Sequence, residues 1–139
     1  MHSLQYKILI MGCSSMLLAI LLGVFGAHVL KTEISIEKFD VFQTANLYHL
    51  LHSLALLVLI PLVKKIKSLS LNTTRFAFLF GIVFFSGSLY VVALNDLLPF
   101  FKAQWFRYLA PLGGISFMLG WIVLLLGGAK GLNSYITEE

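Results

Sequence analysis

VFQTANLYHLLHSLALLVLIPLV, residues 41–63, decides the reading of this chain. These 23 residues include no Asp, Glu, Lys or Arg. About 20 apolar residues suffice to cross a bilayer core as a helix. The backbone finds no water there and must satisfy its own hydrogen bonds, so the stretch is read as helical. Yet Gln43, Thr44, Asn46, Tyr48, His49, His52 and Ser53 crowd its residues 43–53. One segment is therefore both a span and the carrier of most of the polar chemistry.

Three further charge-free windows obey the same rule: 8–30, 76–95 and 108–129, of 23, 20 and 22 residues. The 139 residues are 59% hydrophobic and only 12% charged, with a mean hydropathy of +0.93. A soluble domain spends about a quarter of its residues on charge. The composition excludes an ordinary soluble enzyme, a disordered segment and a disulfide-stapled secreted module. The single cysteine, Cys13, has no partner for an internal bridge. The expected fold is all-α: an integral membrane four-helix bundle with short loops. It forms one domain, residues 1–139, with spans at about 8–30, 41–63, 76–98 and 106–129. The first apolar run is longer than the roughly 7–15 residues of a signal-peptide core, so helix 1 is expected to be retained.

Lys and Arg set the orientation. With four spans, both termini and the 64–75 loop share one side. That side holds Lys7, Lys64, Lys65, Lys67, Arg75 and Lys130, against Lys31, Lys38, Lys102 and Arg107 on the other. Both termini are therefore expected in the cytoplasm, with the basic loop against anionic head groups. The isoelectric point near 9.3 then belongs to a membrane surface. There is no basic stripe interleaved with aromatics, so nucleic acid is not an expected partner.

Local signals refine the ends. Asp40 is expected to cap helix 2, and Thr73 or Thr74 helix 3. Pro99 is expected to end helix 3, and Pro111 sits where helix 4 begins. Phe100, Phe101, Trp105, Phe106 and Tyr108, beside Lys102 and Arg107, suit the head-group boundary. Small residues recur four apart: Ala19, Gly23 and Ala27; Ala77 and Gly81; Ser116 and Gly120. In lipid such residues mark close helix contacts, here expected within the chain rather than across a homodimer seam. A homo-oligomer stays compatible with the pattern.

The polar residues of three helices are expected at one level. Helix 2 runs inward and carries its polar run early; helix 3 runs outward and carries Ser86, Ser88, Tyr90 and Asn95 late. His28 is near the outer end of helix 1. At about 1.5 Å per residue, His49 and Ser86 lie roughly 13–15 Å below the outer boundary, Asn46 and Tyr90 about 9 Å and His28 about 4 Å. The inner half offers only Cys13, Ser14 and Ser15. His49 and His52, three apart, share a helix face with Gln43 and Asn46. Polar groups in hydrocarbon seek one another or water, so the cluster is either an outward pocket or a sealed hydrogen-bonded plug. The His pair is a weak metal half-site with no carboxylate or thiolate at its level. A bis-histidine haem site matches poorly, because His28 and His49 differ in depth. No Ser-His-acid set and no paired carboxylates are present.

Four stretches carry a resemblance: Gly23-Val24-Phe25-Gly26-Ala27-His28-Val29-Leu30; Thr44-Ala45-Asn46-Leu47-Tyr48-His49 with His52; Phe85-Ser86-Gly87-Ser88-Leu89-Tyr90; and Pro111-Leu112-Gly113-Gly114 with Phe117, Gly120 and Trp121. Together they resemble the small inner-membrane proteins of the YgdD/YwdK type, the family of domain of unknown function 423. The resemblance implies a four-span, multi-pass protein of the bacterial plasma membrane and implies no activity.

The leading expectation is a non-catalytic protein in the lipid bilayer. It would hold a small polar ligand, lipid head group or partner at His28, Gln43, Asn46, Tyr48, His49, His52, Ser86, Ser88 and Tyr90. Gly23, Gly26, Gly87, Gly113, Gly114 and Gly120 would serve packing, Gly87 and Gly113 by close backbone approach. The alternatives are an accessory or assembly subunit of a larger membrane complex, and a metal- or haem-binding protein. No cofactor is required by the sequence.

Orientation is directly testable. A fluorescent protein that matures only in the cytoplasm, fused to the C-terminus, is expected to fluoresce. A phosphatase active only in the periplasm, joined after Glu33, is expected to be active. The reverse pattern would invert the assignment.

Overall fold

A computed structural model describes residues 2–97 and 103–137. It has four long apolar helices: α1 (Ser3–Glu33), α2 (Ile36–Lys64), α3 (Ser68–Ala93) and α4 (Trp105–Gly131). The all-α, four-span architecture is thus observed, and no strand occurs among the described residues. The helices are longer than the charge-free windows. Lys31, Glu33, Glu37, Lys38 and Asp40 lie inside helical turns, because long charged side chains near a helix end reach back to the head groups while the backbone stays helical.

This lengthening corrects the expected caps. Only Ile34 and Ser35 separate α1 from α2. Extended Ser35 is the N-cap, its Oγ accepting from the Lys38 N–H at 3.4 Å. Asp40 sits a turn inside α2, where its carbonyl accepts from the Thr44 hydroxyl. α3 starts at Ser68 rather than 76, so Thr73 and Thr74 are internal. Thr73 donates back to the Leu69 carbonyl, and Thr74 donates to the Gly120 carbonyl of α4. Pro61 falls where the end of α2 tightens into a 3₁₀ turn, Ile60–Lys64. Pro111 is the third residue of the α-helix that opens at Leu109, where its missing N–H costs least. Pro99, Phe100, Phe101 and Lys102 lie outside the described residues.

Two helices widen locally into π turns, at Gly26–Leu30 in α1 and Ile82–Ser86 in α3. A π turn adds a residue to the register and rotates the rest of its helix; such segments are frequent at functional sites.

The packing is a chain of pairs. α1 lies along α2, α2 pairs with α3, and α3 with α4. The central helices bury 39% of their apolar window, the flanking ones 17%. Two apolar layers close the ends. Ile8, Leu56, Leu59, Val63, Leu71, Phe78 and Phe117 form one, and Leu30, Phe42, Ala45, Tyr90 and Ala93 the other. Between them lies the polar level.

Small residues set the helix contacts within the chain. A Cβ added to Gly26 would meet Phe42 Cε1 at 2.5 Å, and one on Gly23 the Asn46 Oδ1 at 2.9 Å. Gly113 is the tightest notch: its Cβ would run into the backbone nitrogen of Phe85, so α4 and α3 approach main chain to main chain. Gly120 receives Phe78 and Ala77. Gly87 and Gly114 have only ordinary contacts, so the close approach expected at Gly87 is absent. Gly12, not foreseen, makes room for Leu57.

Gly113→Ala is expected to destabilise the protein in mild detergent by about 1–3 kcal/mol, the usual cost of overpacking against something that cannot move. At Gly128 nothing lies within 4 Å of an added Cβ. Gly128→Ala should therefore be neutral or slightly stabilising, by roughly the helix preference of Ala over Gly. Thermal unfolding of the two variants side by side is the measurement.

Candidate functional site

The polar level resolves into two groups on opposite sides of α2. On the α1 side, Ser15 Oγ bonds His49 Nε2 at 3.1 Å and Ser53 Oγ at 2.6 Å. The Tyr90 hydroxyl reaches His49 Nδ1 at 3.4 Å. Asn46 Nδ2 donates to Tyr90 Oη at 3.1 Å and to the Ala19 carbonyl at 2.7 Å. Five side chains from α1, α2 and α3 thus form one unbroken chain: Asn46, Tyr90, His49, Ser15, Ser53.

The chain has two senses. In one, Tyr90 donates to His49, His49 to Ser15, and Ser15 to Ser53, leaving the Ser53 proton unspent. In the other, Ser53 donates to Ser15, Ser15 to His49, and His49 to Tyr90. Tyr90 then accepts from both Asn46 and His49, and its own proton is unspent. Imidazole permits both, since neutral His has one donor and one acceptor and exchanges them by tautomer.

On the α4 side, His52 Nδ1 lies 3.0 Å from the Tyr48 carbonyl. A carbonyl only accepts, so Nδ1 carries the proton. Nε2 is then free to accept from Trp121 Nε1 at 3.3 Å. The ring stacks on Phe117 with centroids 3.5 Å apart and meets Phe78 edge-on. Tyr48, half-exposed, packs on Phe85. His52 is therefore a fully engaged core histidine.

The expected residues thus divide. Asn46, His49 and Tyr90 converge. His52 turns to α4, because residues three apart differ by about 60° around a helix and reach different neighbours, and Tyr48 packs between Phe85 of α3 and Phe117 of α4. The two imidazoles do not form a shared half-site, and among the described residues no three His, Cys, Asp or Glu side chains gather. His28 and Gln43 are outside the network; His28 is exposed, and Gln43 lines a shallow cleft of about 210 Å³ between α1 and α2. Ser88 donates to its own helix, to the Phe85 carbonyl. Ser86 is buried, with no hydrogen-bond partner for its hydroxyl among the described residues. Cys13 is exposed on α1.

The sequence reading missed Ser15, Ser53 and Trp121. The network is not confined to the outer half: Ser15 precedes the middle of α1, and Ser53 lies beyond the middle of α2. The signal was present in the i,i+4 pair His49/Ser53, which shares a face. It was obscured by placing the start of α2 five residues late, which moves every inferred depth.

Because α1 packs chiefly on α2, a cleft of about 490 Å³ opens between α1 and α3. Met11, Leu18, Leu22, Leu79, Ile82 and Val83 give it apolar walls, and Ser14, Ser15, His49, Gly87 and Tyr90 complete its lining. The arrangement can accept or donate hydrogen bonds to one polar group inside an oily slot.

Known proteins resemble this chain over most of its length. Residues 22–114 match the DUF423 family, described as a protein of unknown function. The UPF0382 membrane protein YwdK of Bacillus subtilis is 35% identical over 125 residues, covering 89% of this chain and 97% of the relative. The UPF0382 inner membrane protein YgdD of Escherichia coli K12 is 32% identical over 131 residues, covering 94% and 95%. SSP2132 of Staphylococcus saprophyticus, also a UPF0382 membrane protein, is 34% identical over 122 residues, covering 88% and 96%. No solved structure matches the chain.

The network yields a coupling prediction. In a double-mutant cycle of Asn46→Leu and Tyr90→Phe, thermal unfolding in detergent should give an interaction energy of about 0.6 kcal/mol, typical of hydrogen bonds between membrane helices. Strict additivity would mean that the two side chains do not touch.

Proposed function

This chain belongs to the DUF423 (UPF0382) family of membrane proteins, and we propose that it is a non-catalytic plasma-membrane protein that receives an amphiphile laterally from the bilayer. The occupant has an apolar body and one hydrogen-bonding head, a carbonyl or hydroxyl. It enters between α1 and α3 and sets its head against Tyr90, His49 and Ser15.

One observation carries this reading: the 490 Å³ cleft is walled by apolar side chains and is lined at its base by Ser15, His49 and Tyr90, which belong to the three-helix network. A pocket of that size, mostly apolar with a few placed polar groups, has the character of a small-molecule site. The two senses of the chain add specificity. A carbonyl in the cleft favours the sense that leaves the Tyr90 proton for it. A hydroxyl has both a proton to give and an oxygen to accept with, and suits either sense. A charged head is disfavoured, since no opposite charge lines the cleft and an unpaired charge in this medium is costly.

The test is extraction. Full-length protein is purified in mild detergent, and its bound small molecules are extracted into solvent and identified by mass spectrometry against protein-free membranes. An amphiphile enriched with the native chain is expected. Val83→Trp, a change at an exposed wall residue, should reduce it by about tenfold, or roughly 1.4 kcal/mol. Tyr90→Phe should reduce it roughly fivefold, the worth of one hydrogen bond of about 1 kcal/mol. Identical extracts from the native chain, both variants and bare membranes would remove the proposal.

A further inference from the structure

A second cleft, independent of the side cleft, lies at the opposite end of α3. Lys65 and Lys67 in the short α2–α3 connection meet Lys130 near the end of α4 around a space of about 270 Å³, lined also by Ser70, Gly127 and Gly131. We propose that this cleft binds a phosphate-bearing anion, the head group of an anionic phospholipid being the occupant at a membrane surface.

Three observations support it. The lysines are brought together from two segments more than 60 residues apart in the sequence. Like charges held close repel unless an anion sits among them. Among the described residues the one ion pair recorded is Lys38–Asp96, between the start of α2 and the turn after α3. No carboxylate of the described residues lines this cleft.

The wall is kept open on the α4 side by glycine. A Cβ on Gly131 would lie 3.0 Å from the Lys65 carbonyl, and one on Gly127 would lie 2.9 Å from Ile66 Cγ2 and 3.1 Å from Ser70 Cβ. Side chains there would fill the cleft or push the connection away. The Ser70 hydroxyl, which makes no hydrogen bond among the described residues, is a donor left for a ligand. The volume accommodates a phosphate with accompanying water, given about 30 Å³ per water in the liquid.

Position fits the occupant. The cleft is at the end of the bundle where α2 finishes and α3 begins, level with a head-group region by helix length alone. Lysines close to an anionic surface each strengthen attachment by about fivefold. A built cleft adds fixed geometry to that diffuse attraction, and so predicts a preference that scattered surface lysines do not reproduce.

The experiment uses the full-length chain in mild detergent with an equimolar mixture of phosphatidylglycerol and phosphatidylcholine, read by native mass spectrometry. The native chain is expected to retain phosphatidylglycerol preferentially. Lys130→Gln should cut the preference about fivefold, and Lys65→Gln/Lys67→Gln/Lys130→Gln should abolish it. Lys7→Gln/Lys64→Gln, charges outside the cleft, should leave it within about twofold. All these side chains are solvent-exposed, so the variants are not aimed at the core. A second arm titrates inorganic phosphate. If phosphate raises the melting temperature of the native chain but not of the triple variant, while the lipids are retained equally, the occupant is free phosphate. Equal lipid retention with no phosphate effect would overturn the site. So would a preference unchanged in the triple variant, or one lost equally in the Lys7/Lys64 control.

Discussion

A hydrogen-bonding side chain in hydrocarbon has no water to fall back on, so it must find protein. In this chain that constraint falls hardest on α2, which carries Asn46, His49, His52 and Ser53 through its middle. Each takes a partner from a neighbouring helix: Ala19 and Ser15 from α1, Tyr90 from α3, Trp121 from α4. α2 is therefore the member on which the others are oriented. The apolar layers at the two ends fill space, but lipid tails are as apolar as leucine, so oil alone would not choose among helix rotations. The polar partners choose.

The same arrangement accounts for the openness of the bundle. Helices joined as successive pairs leave α1 without an extended face on α3. Close notches at Gly26 and Gly113 hold the outer helices to the inner ones, whereas α1 and α3 meet chiefly through α2 and through the layer that holds Leu30 and Ala93. The π turn at Ile82–Ser86 falls on the wall of this gap and re-phases α3, so that Tyr90 faces Asn46 and His49. The side cleft is thus a product of the local helix register and of the pairwise packing together. The lysine cleft at the other end arises differently, from a short connection laid over glycine positions of α4.

Much of the fold was legible in the sequence because the bilayer reduces the choices. Charge-free windows located all four helices. Their ends were misread because windows stop at charges while helices do not: Glu37, Lys38 and Asp40 belong to α2, and Arg75 is buried inside α3. Of the site, Asn46, His49 and Tyr90 were legible as polar residues at matching levels. Ser15 and Ser53 were not, since a shift of five residues in a helix start displaces an inferred depth by about 7.5 Å. His28 and Ser86 lie within or at the end of π turns. A regular 3.6-residue count assigns the wrong face there, and no composition signal announces the extra residue. His28 accordingly points out, and Ser86 is buried without joining the network.

The central claim is that one imidazole of α2 bonds side chains of both neighbouring helices within the membrane. Solid-state NMR of the chain in lipid bilayers, with histidine, serine and tyrosine isotopically labelled, addresses it directly. Through-space cross-peaks from the His49 ring to both the Tyr90 ring and the Ser15 Cβ are the predicted result. A His49 ring whose only close contacts are lipid acyl chains would contradict the account.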